Sequence, residues 1–68
     1  MSVQIVVNGQ NRLVADGSSI ADLLTLLELE SRQVAVEVNM ELVSRGRHAE
    51  HVLSAGDQLE VVSLVGGG

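Results

Sequence analysis

The chain contains no cysteine, no lysine and no proline, and its only rings are the imidazoles of His48 and His51. Without thiols there is no disulfide and no thiolate nucleophile. Without lysine there is no Schiff-base amine and no acceptor on which copies of a ubiquitin-type modifier could be chained. The missing tyrosine and tryptophan remove the stacking platforms that single-stranded nucleic acids bind. No run approaches the roughly 18 apolar residues of a membrane span, and Met1-Ser2-Val3-Gln4 lacks the basic start of a signal peptide, so a cytoplasmic location is expected. The histidines sit three residues apart with Glu50 between them. Two ligands on an uncertain helix do not make a metal site, and both rings are expected to be solvated in a surface loop.

What is present is a small aliphatic domain. The 68 residues are 46% hydrophobic and 19% charged, a globular balance for one domain that must hold by aliphatic packing alone, with a stability of roughly 3–10 kcal/mol. The net charge of −5 disfavours nucleic acid and anionic membrane and would steer the domain toward a basic protein surface. Arg45 and Arg47 are read as solvated, with acidic groups of a partner as the alternative.

Val3, Ile5 and Val7 alternate with Gln4 and Val6, the period of a half-buried strand. Asn8-Gly9 is a favoured pair for a tight hairpin turn, so residues 11–15 should return antiparallel. Asp16-Gly17-Ser18-Ser19 breaks that strand; Ser19 caps a helix, with Asp22 in the capping-box position. Ile20, Leu23, Leu24 and Leu27 form a helical stripe that should cover a sheet, with the helix ending near Leu29. Val34, Val36 and Val38 mark a third strand, Asn39-Met40-Glu41 a turn, and Leu42-Val43 a short fourth strand. Residues 44–50 are polar and read as a loop or one helical turn. A last strand spans residues 58–65, with Leu59, Val61 and Val65, together with Ser63, toward the core and Gln58, Glu60, Val62 and Leu64 on the opposite face. Val62 and Leu64 are therefore a candidate docking patch beside the tail, the alternative being that the fold itself covers them. The order β-β-α-β-β-β predicts an α+β domain over residues 1–65, a mixed sheet of about five strands under one helix, with residues 66–68 as a flexible glycine tail.

Gly66, Gly67 and Gly68 have no side chain to pack and do not serve the fold. Extended, they project the terminal carboxylate about 10 Å beyond the last strand, through a channel only as wide as a backbone. That carboxylate is ionised at neutral pH and inert as an electrophile. A partner that joined it to the AMP moiety of ATP would make a mixed anhydride open to attack by sulfur or nitrogen. A frayed end is the competing reading for three terminal glycines, but these follow a hydrophobic strand directly, with no polar linker.

With these features the chain resembles the small ubiquitin-like sulfur carriers of thiamine biosynthesis, the ThiS family. Val3 to Gly9 resembles the family's opening strand and turn, and Asp16 to Leu24 its entry into the helix. Ala35 to Asn39 with Glu41-Leu42-Val43 resembles its central hairpin, and Gly56 to Val62 with Leu64 to Gly68 its closing strand and tail. Two departures concern turns: Met40 stands where many members have glycine, and Ser44 where many have proline. The resemblance implies a β-grasp fold whose Gly68 carboxylate is adenylated by an E1-like adenylyltransferase. A persulfide sulfur, from a donor such as a cysteine desulfurase, would convert it to a thiocarboxylate used by thiazole synthase. Gly67 and Gly68 match the family's terminal pair, and Gly66 its more variable neighbour. No cofactor is bound permanently on this reading, and the ATP is the partner's.

The small subunit of molybdopterin synthase shares this fold and tail, but its chains are usually longer and carry prolines before the last glycines. Carriers for cysteine synthesis or tRNA thiolation are related possibilities. Two readings of other classes are a non-covalent β-grasp interaction module with an inert tail, and a protein modifier that forms isopeptide bonds to lysines elsewhere.

Overall fold

The computed structural model describes residues 1–64. Strands β1 (Ser2–Val7) and β2 (Gln10–Ala15) form the first hairpin. Asn8 at φ 50° and Gly9 at φ 83° supply the consecutive positive angles of a type I′ turn, whose twist matches that of the strands it joins. Helix α1 (Ile20–Leu26) follows. The Ser19 hydroxyl accepts from the Asp22 amide at 3.1 Å, and the Asp22 carboxylate accepts from the Ser19 amide at 2.9 Å. This is the expected capping box.

The helix stops sooner than its leucine spacing predicts. Glu28 enters the left-handed region at φ 61°, and the amides of Glu28 and Leu29 turn back to the carbonyls of Thr25 and Leu24 at 3.0 and 2.8 Å. These are the two bonds of a Schellman motif. Apolar spacing does not register the stop, because Leu27 and Leu29 pack against the core from the turn as they would from a helix.

Strands β3 (Val34–Val38) and β4 (Glu41–Val43) make the second hairpin, with Glu41 already paired to Val38 rather than in the turn. Its turn residues, Asn39 and Met40, sit at φ 52° and 73°. Arg45–Arg47 form a single 3₁₀ turn, as does Ser31–Gln33 ahead of β3. The last strand, β5 (Gln58–Ser63), ends before the expected Val65: Leu64 is already in a bend, and Val65 lies outside the described residues.

The sheet order is β2-β1-β5-β3-β4, with β1 and β5 parallel and the other neighbours antiparallel. This is the mixed five-stranded sheet with one α-helix of a β-grasp fold. Ile5, Leu59 and Val36 from the three central strands meet Ile20, Leu23 and Leu24 of α1, each 1% exposed or less. Every such side chain contributes about 1.5–3 kcal/mol on full burial. No helix among the described residues is long and apolar enough to cross a membrane.

His48 corrects the expectation of two solvated histidines. It is 2% exposed, with Nδ1 2.9 Å from the Ser31 hydroxyl and Nε2 3.1 Å from the Val43 carbonyl. A carbonyl only accepts, so Nε2 carries the proton. The ring ties the 3₁₀ turn before β3 to the end of β4. The carbonyls of His48 and His51 accept from the Ala21 and Ile20 amides, both at 3.0 Å, satisfying donors that the first turn of α1 leaves free. The polar composition of residues 44–51 signals a loop and hides this, because the burial comes from partners distant in sequence. His51 itself is half-buried.

Met40 is 88% exposed, so its side chain gains nothing from burial to offset its left-handed backbone. Met40→Gly is expected to raise the unfolding free energy by about 1 kcal/mol, read as a rise of about 4–8 °C in Tm. An unchanged or lower Tm would contradict the strain at this turn.

Candidate functional site

Gly66, Gly67 and Gly68, the candidate carrier tail, lie outside the described residues, as does the expected boundary between domain and tail. What the structure describes is the strand that delivers them. Strand β5 sits between β1 and β3. Toward β3 its pairing runs to its end, with Ser63 opposite Val34 and the Leu64 amide donating to the Gln33 carbonyl at 2.7 Å. Toward β1 the ladder is short: Gln58 pairs with Val6 and Leu59 with Val7, and β1 then turns away.

Two asparagines, singled out from sequence only as turn residues, fill the gaps. The Asn8 amide donates to the Leu59 carbonyl at 2.9 Å. Its side chain goes further: Nδ2 donates to the Val61 carbonyl at 3.1 Å, and Oδ1 accepts from the Val61 amide at 2.8 Å. Asn39 does the corresponding work at the other end. Its Oδ1 accepts from the Gln58 amide at 3.0 Å and its Nδ2 donates to the Asp57 carboxylate at 3.1 Å. The second Asp57 oxygen accepts from the Ser54 amide at 2.8 Å, closing the turn that feeds β5. The available sequence signal was the choice of Asn over Gly or Asp at both turns, which a backbone argument alone does not require.

Along β5, Leu59 and Val61 face the helix, while Glu60 and Val62 lie on the outer face. Val62 is 56% exposed and Leu64 64%. In register with Val62 on the outer face is Ala35, and the exposed Leu42 lies one strand beyond, opposite Glu37. Glu37 is directly opposite Glu60, two carboxylates facing each other across the β3–β5 ladder. The ion pairs among the described residues, Arg32–Glu30 and Arg47–Glu50, lie elsewhere and are well exposed. Arg45 is also exposed. The outer sheet thus presents an apolar end beside the start of the tail and an acidic pair one row away from it.

A family model described as the ThiS family matches residues 5–68. The sulfur carrier protein ThiS of Escherichia coli is 30% identical over 97% of this chain and 100% of that one. A thiazole synthase from Paramagnetospirillum magneticum is 38% identical over 97% of this chain, which spans only 20% of that protein's length. Among solved structures, the thiamine biosynthesis protein ThiS of Geobacter metallireducens aligns with a TM-score of 0.81 at 29% identity, covering 97% of this chain and 100% of that one.

Like charges directly opposite in a sheet oppose pairing. Glu60→Gln is accordingly expected to stabilise the free domain by about 0.5 kcal/mol, measured as a higher urea midpoint at unchanged m-value. A lower midpoint would show that Glu60 has a stabilising partner.

Proposed function

The chain belongs to the ThiS family, and from that membership we propose that it is a sulfur carrier of thiamine biosynthesis, with the Gly68 carboxylate as the group that carries sulfur. The observation that supports this most is the placement of β5. The strand leading to three side-chain-free residues is central in the sheet and held along both edges, so a rigid body delivers a terminus narrow enough for a buried active site.

The chemistry follows from the inertness of a carboxylate. In the active site of an ATP-dependent adenylyltransferase, a Gly68 carboxylate oxygen attacks the α-phosphorus of ATP. Pyrophosphate leaves, and the acyl adenylate that forms is a good electrophile. The terminal sulfur of a persulfide, supplied from cysteine by a desulfurase, then attacks the acyl carbon and AMP leaves, giving an acyl disulfide. A thiol attacks the sulfur distal to the acyl group, and the thiocarboxylate departs as a new disulfide forms. Catalysis belongs to the partners, and this chain acts as their protein co-substrate in the cytoplasm, where ATP is at hand. Thiazole synthase is the acceptor. In the thiazole synthase of P. magneticum a segment like this chain occupies a fifth of the protein's length, so carrier-like and remaining parts share one polypeptide and meet at high effective concentration.

Docking uses the outer face of the sheet. Val62 and Leu64, with Ala35 and Leu42 beside them, offer the apolar contact. Glu37 and Glu60 would be relieved by basic groups on the partner, which fits the net charge of −5.

The direct test is mass spectrometry of the C-terminal peptide after incubation with the adenylyltransferase, ATP and a persulfide donor. Oxygen exchanged for sulfur at Gly68 is expected; its absence, with no acyl adenylate either, removes the carrier function. One residue appended after Gly68 is expected to abolish thiocarboxylate formation while leaving Tm unchanged, because the acid group then sits a residue away from the reacting position. Val62→Asp is expected to raise KM for the carrier about tenfold at nearly unchanged stability. An unaltered KM would exclude this face from docking.

A further inference from the structure

Beyond Leu59, β5 has lost its parallel neighbour. Strand β1 ends at Val7 and the hairpin turns away at Asn8 and Gly9, which leaves the amide and carbonyl of Val61 without a strand on that side. In the structure both are satisfied by one side chain. The Asn8 carboxamide donates through Nδ2 to the Val61 carbonyl at 3.1 Å and accepts at Oδ1 from the Val61 amide at 2.8 Å. One donor and one acceptor in a fixed plane stand in for the two bonds that a longer parallel β1 would have supplied from two of its residues.

The turn does not account for this choice of residue. A type I′ turn needs positive φ at both central positions, and Gly, Asp and Asn all meet that need. Glycine offers no side chain, and an ionised aspartate accepts two hydrogen bonds but donates none. Of the three, only asparagine closes the turn and pairs with both backbone groups of Val61.

We propose that Asn8 is a positioning residue: its carboxamide extends the β1 edge past the turn, holds Val61, and so fixes the direction in which β5 delivers the chain toward Gly66, Gly67 and Gly68. The role rests on the sulfur-carrier reading above, because direction matters only if the terminus must reach a defined point in a partner. Asn39 is not equivalent. It binds Gln58 and Asp57 at the start of β5, at the far end from the tail. Asn8 engages Val61 from the edge of β5, which leaves the outer face at the neighbouring Val62 free for the partner.

The carrier is a substrate of its activating enzyme, and this separates positioning from folding. A variant that merely unfolds in part lowers the concentration of usable substrate, which raises apparent KM and is overcome at saturation. A folded variant whose terminus is misdirected binds through its sheet as before but places the carboxylate badly, which lowers kcat at an unchanged KM.

The test is Asn8→Gly, which keeps the turn and deletes the carboxamide, beside Val14→Ala, a destabilised control in the buried part of β2. Thiocarboxylate formation is measured against carrier concentration with the adenylyltransferase, ATP and persulfide donor, and Val61 amide exchange is followed by NMR. For Asn8→Gly the expected result is faster exchange at Val61 and a kcat about ten- to hundredfold lower at similar KM. Val14→Ala should keep kcat and raise KM at temperatures near its Tm. Unchanged Val61 exchange in Asn8→Gly overturns the clamp; faster exchange with unchanged kcat, or a rise in KM alone, overturns the positioning role. If the unsubstituted chain forms no thiocarboxylate, the carrier reading itself fails and the positioning role goes with it, an outcome distinct from the other two.

Discussion

A strand in the middle of a sheet has two rows of backbone groups to satisfy, and in this protein that strand is also the one that must end in a segment with no side chains. Strand β5 meets the requirement asymmetrically. On one edge β3 accompanies it to Ser63 and the Gln33 carbonyl reaches Leu64. On the other edge β1 departs after two paired residues, and the Asn8 side chain takes over. The two hairpins are thus more than connections: each places an asparagine against β5, one at its start and one near its end. These asparagine bonds lie at exposed positions where water competes, so each contributes a modest net of about 0.5–1.5 kcal/mol and acts more on the geometry of the last strand than on the stability of the domain.

The rest of the fold can be read as support for that strand. With no disulfide available, the helix has to press an all-aliphatic face onto the sheet. It does so through Ile20, Leu23 and Leu24 above Ile5, Val36 and Leu59. The segment 48–53 straps the N-terminus of α1 from outside. It gives two carbonyls to the first helical amides and takes a bond back from the Leu53 amide to the Ser18 carbonyl at 2.8 Å. His48 anchors that strap to Ser31 and Val43. A buried, doubly bonded ring at this point joins its own segment to the 3₁₀ turn before β3 and to the end of β4, a useful tie in a domain of 68 residues with a small core.

Much of this was legible in the residues themselves, where the determinant is local. Asn8-Gly9 announces its hairpin through positive φ, Ser19 and Asp22 announce the helix start through capping, and the valines of β3 announce a strand through alternation. What was not legible is set by a backbone turn that apolar spacing does not register, or by partners elsewhere in the fold. The helix ends at Leu26 because Glu28 takes a left-handed conformation that no residue preference requires. Strand β5 ends at Ser63 although valine at 65 continues the alternation. His48 looks like a loop residue because its two bonding partners are 17 and 5 residues away. Asn8 looks like a turn residue because Val61 is 53 residues away. In each case the sequence names the group correctly, and the tertiary fold decides what else the group does.

The same division runs through the proposed chemistry. On that proposal an adenylating enzyme supplies activation and a persulfide the sulfur, so beyond the Gly68 carboxylate that attacks ATP the chemistry asks for no perturbed acid or metal on this chain. What the chain must supply is reach and direction, and these draw on opposite properties. Reach comes from residues that lack side chains; direction comes from a strand paired along β3 and held at Val61 by Asn8. A clamp placed on the tail itself would add bulk to the part that has to be thin. Placing it at Val61, five residues before Gly66, keeps the terminus bare while fixing the line along which the strand leaves the sheet. On the proposed role of Asn8, a residue in the first turn of the chain bears on a reaction at its C-terminus.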